Sequence, residues 1–383
     1  MAQELLECEA HGTPTRLRCA EEGCGRPICP RCLVKTAVGL KCEEHAQAVA
    51  ARFDRRTTPL ALGAIVAVAF AVVVLSLAVF RQSSKPGPGT DNTPAPAASG
   101  EPNGNSKIVP ASVYVVDANG SSPHTLTNRP LAFDARPAWS PDGNRIAFES
   151  TADGKRSIFV MQADGQGLRR LTDAGGTAGD SSPSWSPTGD RIAFASERDG
   201  NSEIYVVGAD GSGVKRLTDN PATDSSPAWS PDGSRIAFIS DRDGGQAGVW
   251  AMAADGSAPA RLVPGPAVAG ARPSWSPDGR SIAFASDRDG NLDIYVATTA
   301  APAVATTVQR VITGPSLDGE PAWSPDGGRI AFASDREGSP QVYVANRDGS
   351  NVVRLTNKAR SYTPAWSPDG TKLLYIYDPA PGG

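Results

Sequence analysis

Cysteine is almost missing from this 383-residue chain outside one short segment. All six cysteines lie between Cys8 and Cys42, and the chain after Cys42 has no thiol from which a disulfide could form. The long C-terminal part must therefore be held together by its own core. It has one histidine, His124, and no G-x-S-x-G motif, which leaves no Ser-His-Asp device. We predict that the protein is not an enzyme.

An excess of positive charge is also missing. The chain has 37 Lys and Arg against 41 Asp and Glu, a formal net charge of −4. Binding to a phosphate backbone requires clustered basic residues, so we expect no nucleic-acid partner. The 40 glycines and 33 prolines are too many for a helical protein. Most of them stand in recurring turn dipeptides beside β-branched and aromatic residues, which favours β-structure.

The chain has one long apolar run, residues 59–80, with no charge from Leu60 to Phe80. This length is sufficient for a transmembrane helix. A cleaved signal peptide is the alternative, but residues 1–58 precede the run and the run itself is long. More basic residues flank it on the N-terminal side, which favours a cytoplasmic N-terminus and an extracytoplasmic C-terminus. Residues 81–107 are rich in proline and glycine and are predicted to be a flexible linker.

An internal repeat organises residues 108–383. The tripeptide W-S-P recurs at intervals of 43 to 48 residues, at Trp139, Trp185, Trp229, Trp275, Trp323 and Trp366. Each copy leads into an Asp-Gly or Thr-Gly turn, and three further short apolar strands follow, separated by turns such as S-D-R-D-G and A-D-G. Four antiparallel strands in about 45 residues make one propeller blade. We predict an all-β, six-bladed β-propeller in which the tryptophans pack between blades.

The two ends of the repeat region complete each other. Residues 112–127 match strands three and four of a blade, and residues 363–377 match strands one and two. Joined, they would form the sixth blade and leave no exposed half-blade. The repeat P-A-W-S-P-D-G-x-x-I-A-F-x-S-D-R-D-G resembles the TolB-type, WD-like propeller repeat. That resemblance implies a propeller fold and a tendency toward protein binding.

The N-terminal segment, residues 1–50, carries eight potential metal ligands in four close pairs. They are Cys8 and His11, Cys19 and Cys24, Cys29 and Cys32, and Cys42 and His45. Two such pairs complete a tetrahedral site, so eight ligands suit two structural zinc ions. Three disulfides or reduced thiols are the alternatives, and a cytoplasmic location favours zinc over disulfides.

The arrangement of these pairs resembles a B-box-type zinc finger. The resemblance implies that the pairs interleave: Cys8, His11, Cys29 and Cys32 would hold one ion, and Cys19, Cys24, Cys42 and His45 the other.

A second metal hypothesis concerns calcium in the turns of the repeat. Oxygen-bearing side chains alternate at Asp287, Asp289, Asn291 and Asp293, and again at Glu197, Asp199, Asn201 and Glu203. Alternating oxygens can converge on Ca²⁺. No glutamate follows at the distance of an EF-hand loop, and the same positions form hairpin turns in the repeat. Ordinary turn chemistry is therefore favoured over calcium.

The binding surface is predicted from strand direction. Inter-blade loops and S-D-R-D-G turns share one face of the propeller, and P-D-G and A-D-G turns share the other. The P-D-G turns are nearly alike in all blades, whereas the inter-blade loops vary, as a specific site requires. We predict ligand binding at Asp134, Arg136, Asp180, Asp224, Arg272, Asp318, Glu320, Arg360 and Tyr362. The alternative is a solvated loop rim. We expect Asp318→Ala with Glu320→Ala, or Arg136→Ala with Arg360→Ala, to abolish partner capture and to leave thermal stability nearly unchanged.

Together these features predict a membrane-anchored extracytoplasmic propeller that binds a protein partner or an envelope glycan, with a structural zinc module in the cytoplasm. The alternative is a transmembrane sensor whose zinc module recruits a cytoplasmic protein when the propeller is occupied.

Overall fold

The computed structural model describes residues 111–379, except 130, 177, 245, 268–270, 300–306 and 358, together with four short strands near the N-terminus. Strands β1 (Leu6–Glu7) and β2 (Pro14–Thr15) form one antiparallel pair, and β3 (Leu33–Thr36) and β4 (Gly39–Cys42) form another. Cys42 is the last residue of β4. The other seven predicted zinc ligands lie outside the described residues.

The described residues contain no helix that is long and apolar enough to cross a membrane. The transmembrane helix predicted at residues 59–80 and the linker predicted at residues 81–107 both lie outside the described residues.

Six four-stranded antiparallel sheets confirm the predicted six-bladed propeller. The first blade consists of β7 (Asp134–Trp139), β8 (Arg145–Ser150), β9 (Ser157–Gln162) and β10 (Arg169–Arg170). The second consists of β11 (Asp180–Trp185), β12 (Arg191–Ser196), β13 (Glu203–Gly208) and β14 (Lys215–Arg216). The third consists of β15 (Asp224–Trp229), β16 (Arg235–Ser240), β17 (Gly248–Ala253) and β18 (Ala260–Arg261). Consecutive strands pair in each, so every blade is a meander.

The remaining blades follow the same plan, and the last one closes the ring. The fourth consists of β19 (Ser274–Trp275), β20 (Ser281–Ser286), β21 (Asp293–Thr298) and β22 (Thr307–Ile312). The fifth consists of β23 (Asp318–Trp323), β24 (Arg329–Ser334), β25 (Gln341–Asn346) and β26 (Val353–Arg354). The sixth combines β27 (Arg360–Trp366) and β28 (Lys372–Asp378) with β5 (Ser112–Asp117) and β6 (His124–Thr125). The two ends of the repeat region thus share one blade, as predicted.

The second strand of each blade is buried on both sides. In β12 the four residues Ile192–Ala195 are at most 1 % exposed. A strand covered by neighbours on both faces has no polar face, which is why I-A-F-A reads as a continuous apolar run. Phe194 of this strand packs on Tyr205 of the next, with ring centroids 5.8 Å apart.

The recurrent tryptophans pack between adjacent blades, as the sequence predicts. The Trp185 indole donates a hydrogen bond to the Ala138 carbonyl of the preceding blade at 3.2 Å, and the Arg145 guanidinium of that blade lies 4.6 Å from the Trp185 ring centroid. The first residue of strand two therefore covers the tryptophan of the next blade, which adds a cation–π contact to apolar burial.

Strand register shows where the chain enters the propeller. Ser112 pairs with Tyr377 and Asp117 pairs with Lys372, so β5 begins at the end where β28 finishes. Lys372 comes directly after a P-D-G turn. The chain therefore enters β5 at the inter-blade-loop end, opposite the P-D-G turns.

Candidate ligand site in the central channel

One residue from each blade lies three positions before the recurrent tryptophan, directly before a proline, and we call this set the axial ring. Its members are Arg136, Ser182, Ser226, Arg272, Glu320 and Thr363. Five of them have φ between 50° and 55°, Arg272 being the exception, and a register shift interrupts the innermost strand at each of the five. A non-glycine residue is costly at positive φ, and such bulges redirect a side chain.

Arg136 connects three blades on one side of the axial ring. Its Nη1 donates to Ser182 Oγ at 3.0 Å and to Ser226 Oγ at 3.3 Å. Its Nε lies 4.0 Å from Glu149 Oε2, which also accepts the Ser182 backbone N–H at 2.8 Å. Glu149 is 3 % exposed, so these groups form a buried polar network across the channel.

Arg272 reaches across the channel from the fourth blade. Its Nη1 and Nη2 donate to the carbonyls of Pro137 and Pro183, each at 3.3 Å, which belong to the first and second blades. Burial lowers the pKa of the Arg272 guanidinium to about 10, and the negative charge of Glu320 opposes part of that shift. The channel thus holds two arginines, Arg136 and Arg272, against two glutamates, Glu149 and Glu320.

A cavity of about 390 Å³ lies at the P-D-G end of this network. Arg272, Glu320 and Thr363 of the axial ring contribute to its lining. Its walls carry five of the six recurrent tryptophans and several prolines: Trp139, Trp229, Trp275, Trp323, Trp366, Pro231, Pro277, Pro325 and Pro368. Its volume is near the lower end of the roughly 300–1,000 Å³ typical of small-molecule sites. The cavity combines aromatic walls with a few polar groups, the composition typical of binding sites.

Five buried polar atoms of the cavity lining have no partner, and three of them are the indole nitrogens of Trp139, Trp229 and Trp323. The other two are Glu320 Oε2 and Thr363 Oγ1; both atoms are buried, and neither forms a hydrogen bond. Thr363 is only 5 % exposed. Buried polar atoms without partners are rare in folded proteins because each one costs free energy, so these atoms require an explanation.

Four aspartates predicted as a ligand-binding rim are instead buried. Asp134, Asp180, Asp224 and Asp318 are the first residues of their innermost strands and at most 1 % exposed. Each lies within 2.5–3.1 Å of an arginine nitrogen, the partners being Arg129, Arg198, Arg242 and Arg336. Because they are buried in ion pairs, their replacement should destabilise the fold, which for Asp318 is contrary to the sequence-based expectation. Their part in ligand binding stays a prediction.

Two further residues of the predicted rim, Arg360 and Tyr362, lie in the sixth blade. Arg360 pairs with Asp378 at 2.6 Å, and the Tyr362 hydroxyl lies 3.4 Å from the same carboxylate. Burial raises the pKa of the Tyr362 phenol well above its usual value. These contacts place both side chains in the closure of the ring.

The structure thus divides the nine predicted positions into two groups. Arg136, Arg272 and Glu320 come together in the channel, and the other six contribute to strand starts and ring closure. Sequence reasoning missed Ser182, Ser226 and Thr363, although they share the pre-proline position of the repeat. It also missed Glu149, which replaces the alanine or isoleucine found at this point in the other five second strands.

The alternating acidic turns have protein partners of their own. The Tyr295 hydroxyl donates to Asp289 at 2.6 Å, and Asn291 Nδ2 donates to the carbonyls of Gly314 and Ser316. Asp293 pairs with Arg310 at 2.5 Å. Within the described residues, no group of three or more His, Cys, Asp or Glu side chains is arranged to hold a metal.

Comparison with known families agrees with this architecture. The model of the TolB beta propeller domain matches residues 176–269 and 265–380, which together cover more than half of the chain. The chain belongs to the TolB beta propeller family. The match covers the second to fifth blades of this TolB propeller and strands β27 and β28 of the sixth.

Individual relatives of the TolB propeller share the fold at low identity. A TolB candidate from Agrobacterium tumefaciens has a TM-score of 0.58 and 24 % identity, covering 70 % of this chain and 98 % of its own. TolB from Acinetobacter baumannii has a TM-score of 0.57 and 24 % identity, covering 68 % of this chain and 67 % of its own. The Tol-Pal system protein TolB of Syntrophus aciditrophicus is 51 % identical over 35 residues, which span 9 % of this chain and only 8 % of that relative.

Proposed function

We propose that this protein is a binding platform that captures an envelope protein at the P-D-G end of its TolB propeller, and that it catalyses no reaction. This proposal rests on the cavity at the P-D-G end of the channel, whose tryptophan and proline walls surround buried polar atoms that lack partners. Aromatic side chains dominate protein interfaces, since they bury a large area at a small cost in conformational entropy. The Syntrophus aciditrophicus relative is a Tol-Pal system protein, which supports an envelope location for this chain as well.

The way the chain enters the propeller is compatible with an anchor. The backbone enters β5 at the inter-blade-loop end, so a tether joined before Ala111 attaches opposite the cavity. We propose that the apolar run at residues 59–80 is that anchor, with the propeller outside the cell and residues 1–50 holding two structural zinc ions inside. An anchor at this end leaves the cavity free for a partner.

Site-directed photocross-linking in intact cells tests the partner. A photoreactive amino acid would replace Asp326, whose side chain is 62 % exposed and which follows the cavity-lining Pro325. The matched control replaces Glu337 of the same blade, 49 % exposed, in the turn between β24 and β25 at the other end. We expect one envelope protein to cross-link from position 326 and not from position 337. Cross-linking only from position 337 would place the binding surface on the inter-blade-loop face, and cross-linking from neither would contradict a protein partner.

A further inference from the structure

Near Glu320 the repeat departs from its pattern, because one of the arginines that cover the tryptophans is absent. In four blades the arginine that begins strand two lies 4.6–5.2 Å from the ring centroid of the next tryptophan; the pairs are Arg145 and Trp185, Arg191 and Trp229, Arg235 and Trp275, and Arg329 and Trp366. In the described part of the chain, no arginine covers Trp139 or Trp323. The residue that should cover Trp323 is Ser281, because the fourth blade has its arginine one position earlier, at Arg280.

Trp323 and Glu320 belong to the same strand, β23, and both line the cavity. Glu320 provides an unpartnered carboxylate oxygen, and Thr363 of the next blade provides an unpartnered hydroxyl. An aromatic ring without its cation, next to a carboxylate without a donor, is a combination that recognises ammonium or guanidinium groups.

The mouth of the cavity adds further negative charge. Each of the four prolines at the P-D-G end of the cavity is followed by an aspartate: Asp232, Asp278, Asp326 and Asp369. Hydrogen bonds from the serine two residues before hold the pKa of all four carboxyls below the usual value, so all are ionised near neutral pH. Asp326 lies 3.8 Å from Arg329, whereas Asp232, Asp278 and Asp369 form no ion pair within the described residues.

Arg272 is the opposing charge in the cavity. Both of its terminal nitrogens donate to carbonyls of the first and second blades, across the channel. These bonds direct the Arg272 donors toward the backbone of those blades, while Glu320 Oε2 remains an acceptor without a donor. The Trp323 indole N–H of the same blade also lacks a partner, but the charged group without a hydrogen-bond donor is the Glu320 carboxylate, which calls for a cationic donor from outside.

We propose that the cavity recognises a basic side chain, lysine or arginine, presented by the protein partner. The ammonium or guanidinium group lies against Trp323 and donates to Glu320 and Thr363, and the aspartates at the mouth attract it. This inference rests on the proposed function and names the chemistry of the partner at that site.

Intrinsic fluorescence of the full-length protein gives a direct test, since six of the seven tryptophans belong to the repeat and five line the cavity. The probes are capped tripeptides, acetyl-Gly-X-Gly-amide, in which X is lysine, norleucine or glutamate. Norleucine has nearly the length of lysine without its charge. We expect the lysine peptide to bind about tenfold more tightly than the norleucine peptide, the effect of one charge-assisted hydrogen bond.

The variant Glu320→Gln should abolish that preference while keeping the fold. The matched control Glu337→Gln, at the other end of the same blade, should retain it. Any of four results would overturn the inference. They are equal binding of the lysine and norleucine peptides, an unchanged preference in Glu320→Gln, tighter binding of the glutamate peptide, and no binding of any peptide. Cross-linking from position 326 without a charge preference would defeat this inference alone, whereas a charge preference without cross-linking would defeat the protein partner.

Discussion

Replacing Asp180 separates a structural role from a binding role at the predicted rim. Asp180 is fully buried, and Arg198 Nη2 donates to its two carboxylate oxygens at 3.1 and 3.2 Å. Arg198 itself lies over the adjacent rings of Phe194 and Tyr205, 5.4 and 4.9 Å from their centroids, and its side chain is 17 % exposed. Asp180→Ala would leave this guanidinium in place without its counter-charge.

The size of the effect follows from that geometry. Removing one partner of a buried ion pair costs about 3–5 kcal/mol, because the remaining charge is desolvated and uncompensated. We therefore expect the free energy of unfolding to fall by about 3–5 kcal/mol in Asp180→Ala. The matched control is Asp219→Ala, which removes an ion pair to Arg216 whose carboxylate is 85 % exposed. Exposed pairs contribute less than about 1 kcal/mol, so the control should remain close to the wild type.

The measurement is denaturant unfolding of both full-length variants, followed by tryptophan fluorescence, since the recurrent tryptophans report on contacts between blades. A lower midpoint at an unchanged slope would show a pure loss of stability. If Asp180→Ala unfolds at the same denaturant concentration as the control, the buried pair does not stabilise the propeller. The aspartates would then be free for a binding role, and our structural account of them would be refuted.

Three further predictions follow from separate parts of the chain. Metal analysis of the full-length protein should give two zinc ions per chain; three disulfides and no zinc would contradict the B-box-like interpretation. Protease added to intact cells should cut within residues 81–107 and release the propeller, whereas cleavage only after lysis would reverse the orientation. Arg145→Ala should lower the free energy of unfolding by about 0.5–2 kcal/mol through loss of the cation–π contact to Trp185, checked by denaturation against Ser281→Ala, a position without such a contact.

The propeller could be predicted because its information is local and repeated. Asp-Gly turns fix the hairpins, and Ser140 shows how: its hydroxyl donates to Asp142 and accepts the Arg145 backbone N–H at 2.9 Å. The S-P-D-G turn is thus closed by its own side chains, and five such copies with one S-P-T-G copy suffice to place six blades. Ring closure could also be predicted, because each end of the repeat region contains the half-blade that the other end lacks.

The burial of the rim aspartates could not be read from their loops, because it depends on a partner in a different turn. Asp180, Asp224 and Asp318 each pair with an arginine 18 residues later in the chain. That constant interval was a signal in the sequence. An acidic residue and an arginine at the same spacing in three blades indicate a repeated ion pair, whereas specific binding residues differ between blades.

Departures from the repeat are therefore more informative than the repeat itself. Most contacts in the propeller recur in blade after blade and are explained by packing. The exceptions gather around the channel: Glu149 replaces a small or aliphatic residue, Arg272 crosses to the opposite blades, and Glu320 faces the cavity without a donor. In the fourth blade the arginine has moved by one position, which leaves Trp323 without its cation. Arg272, the shifted arginine and Glu320 belong to the neighbouring fourth and fifth blades, whereas Glu149 lies across the channel in the first, so the site is not sixfold symmetric. A ligand bound there meets an asymmetric surface, which is what selects a single side chain of a partner in a single orientation.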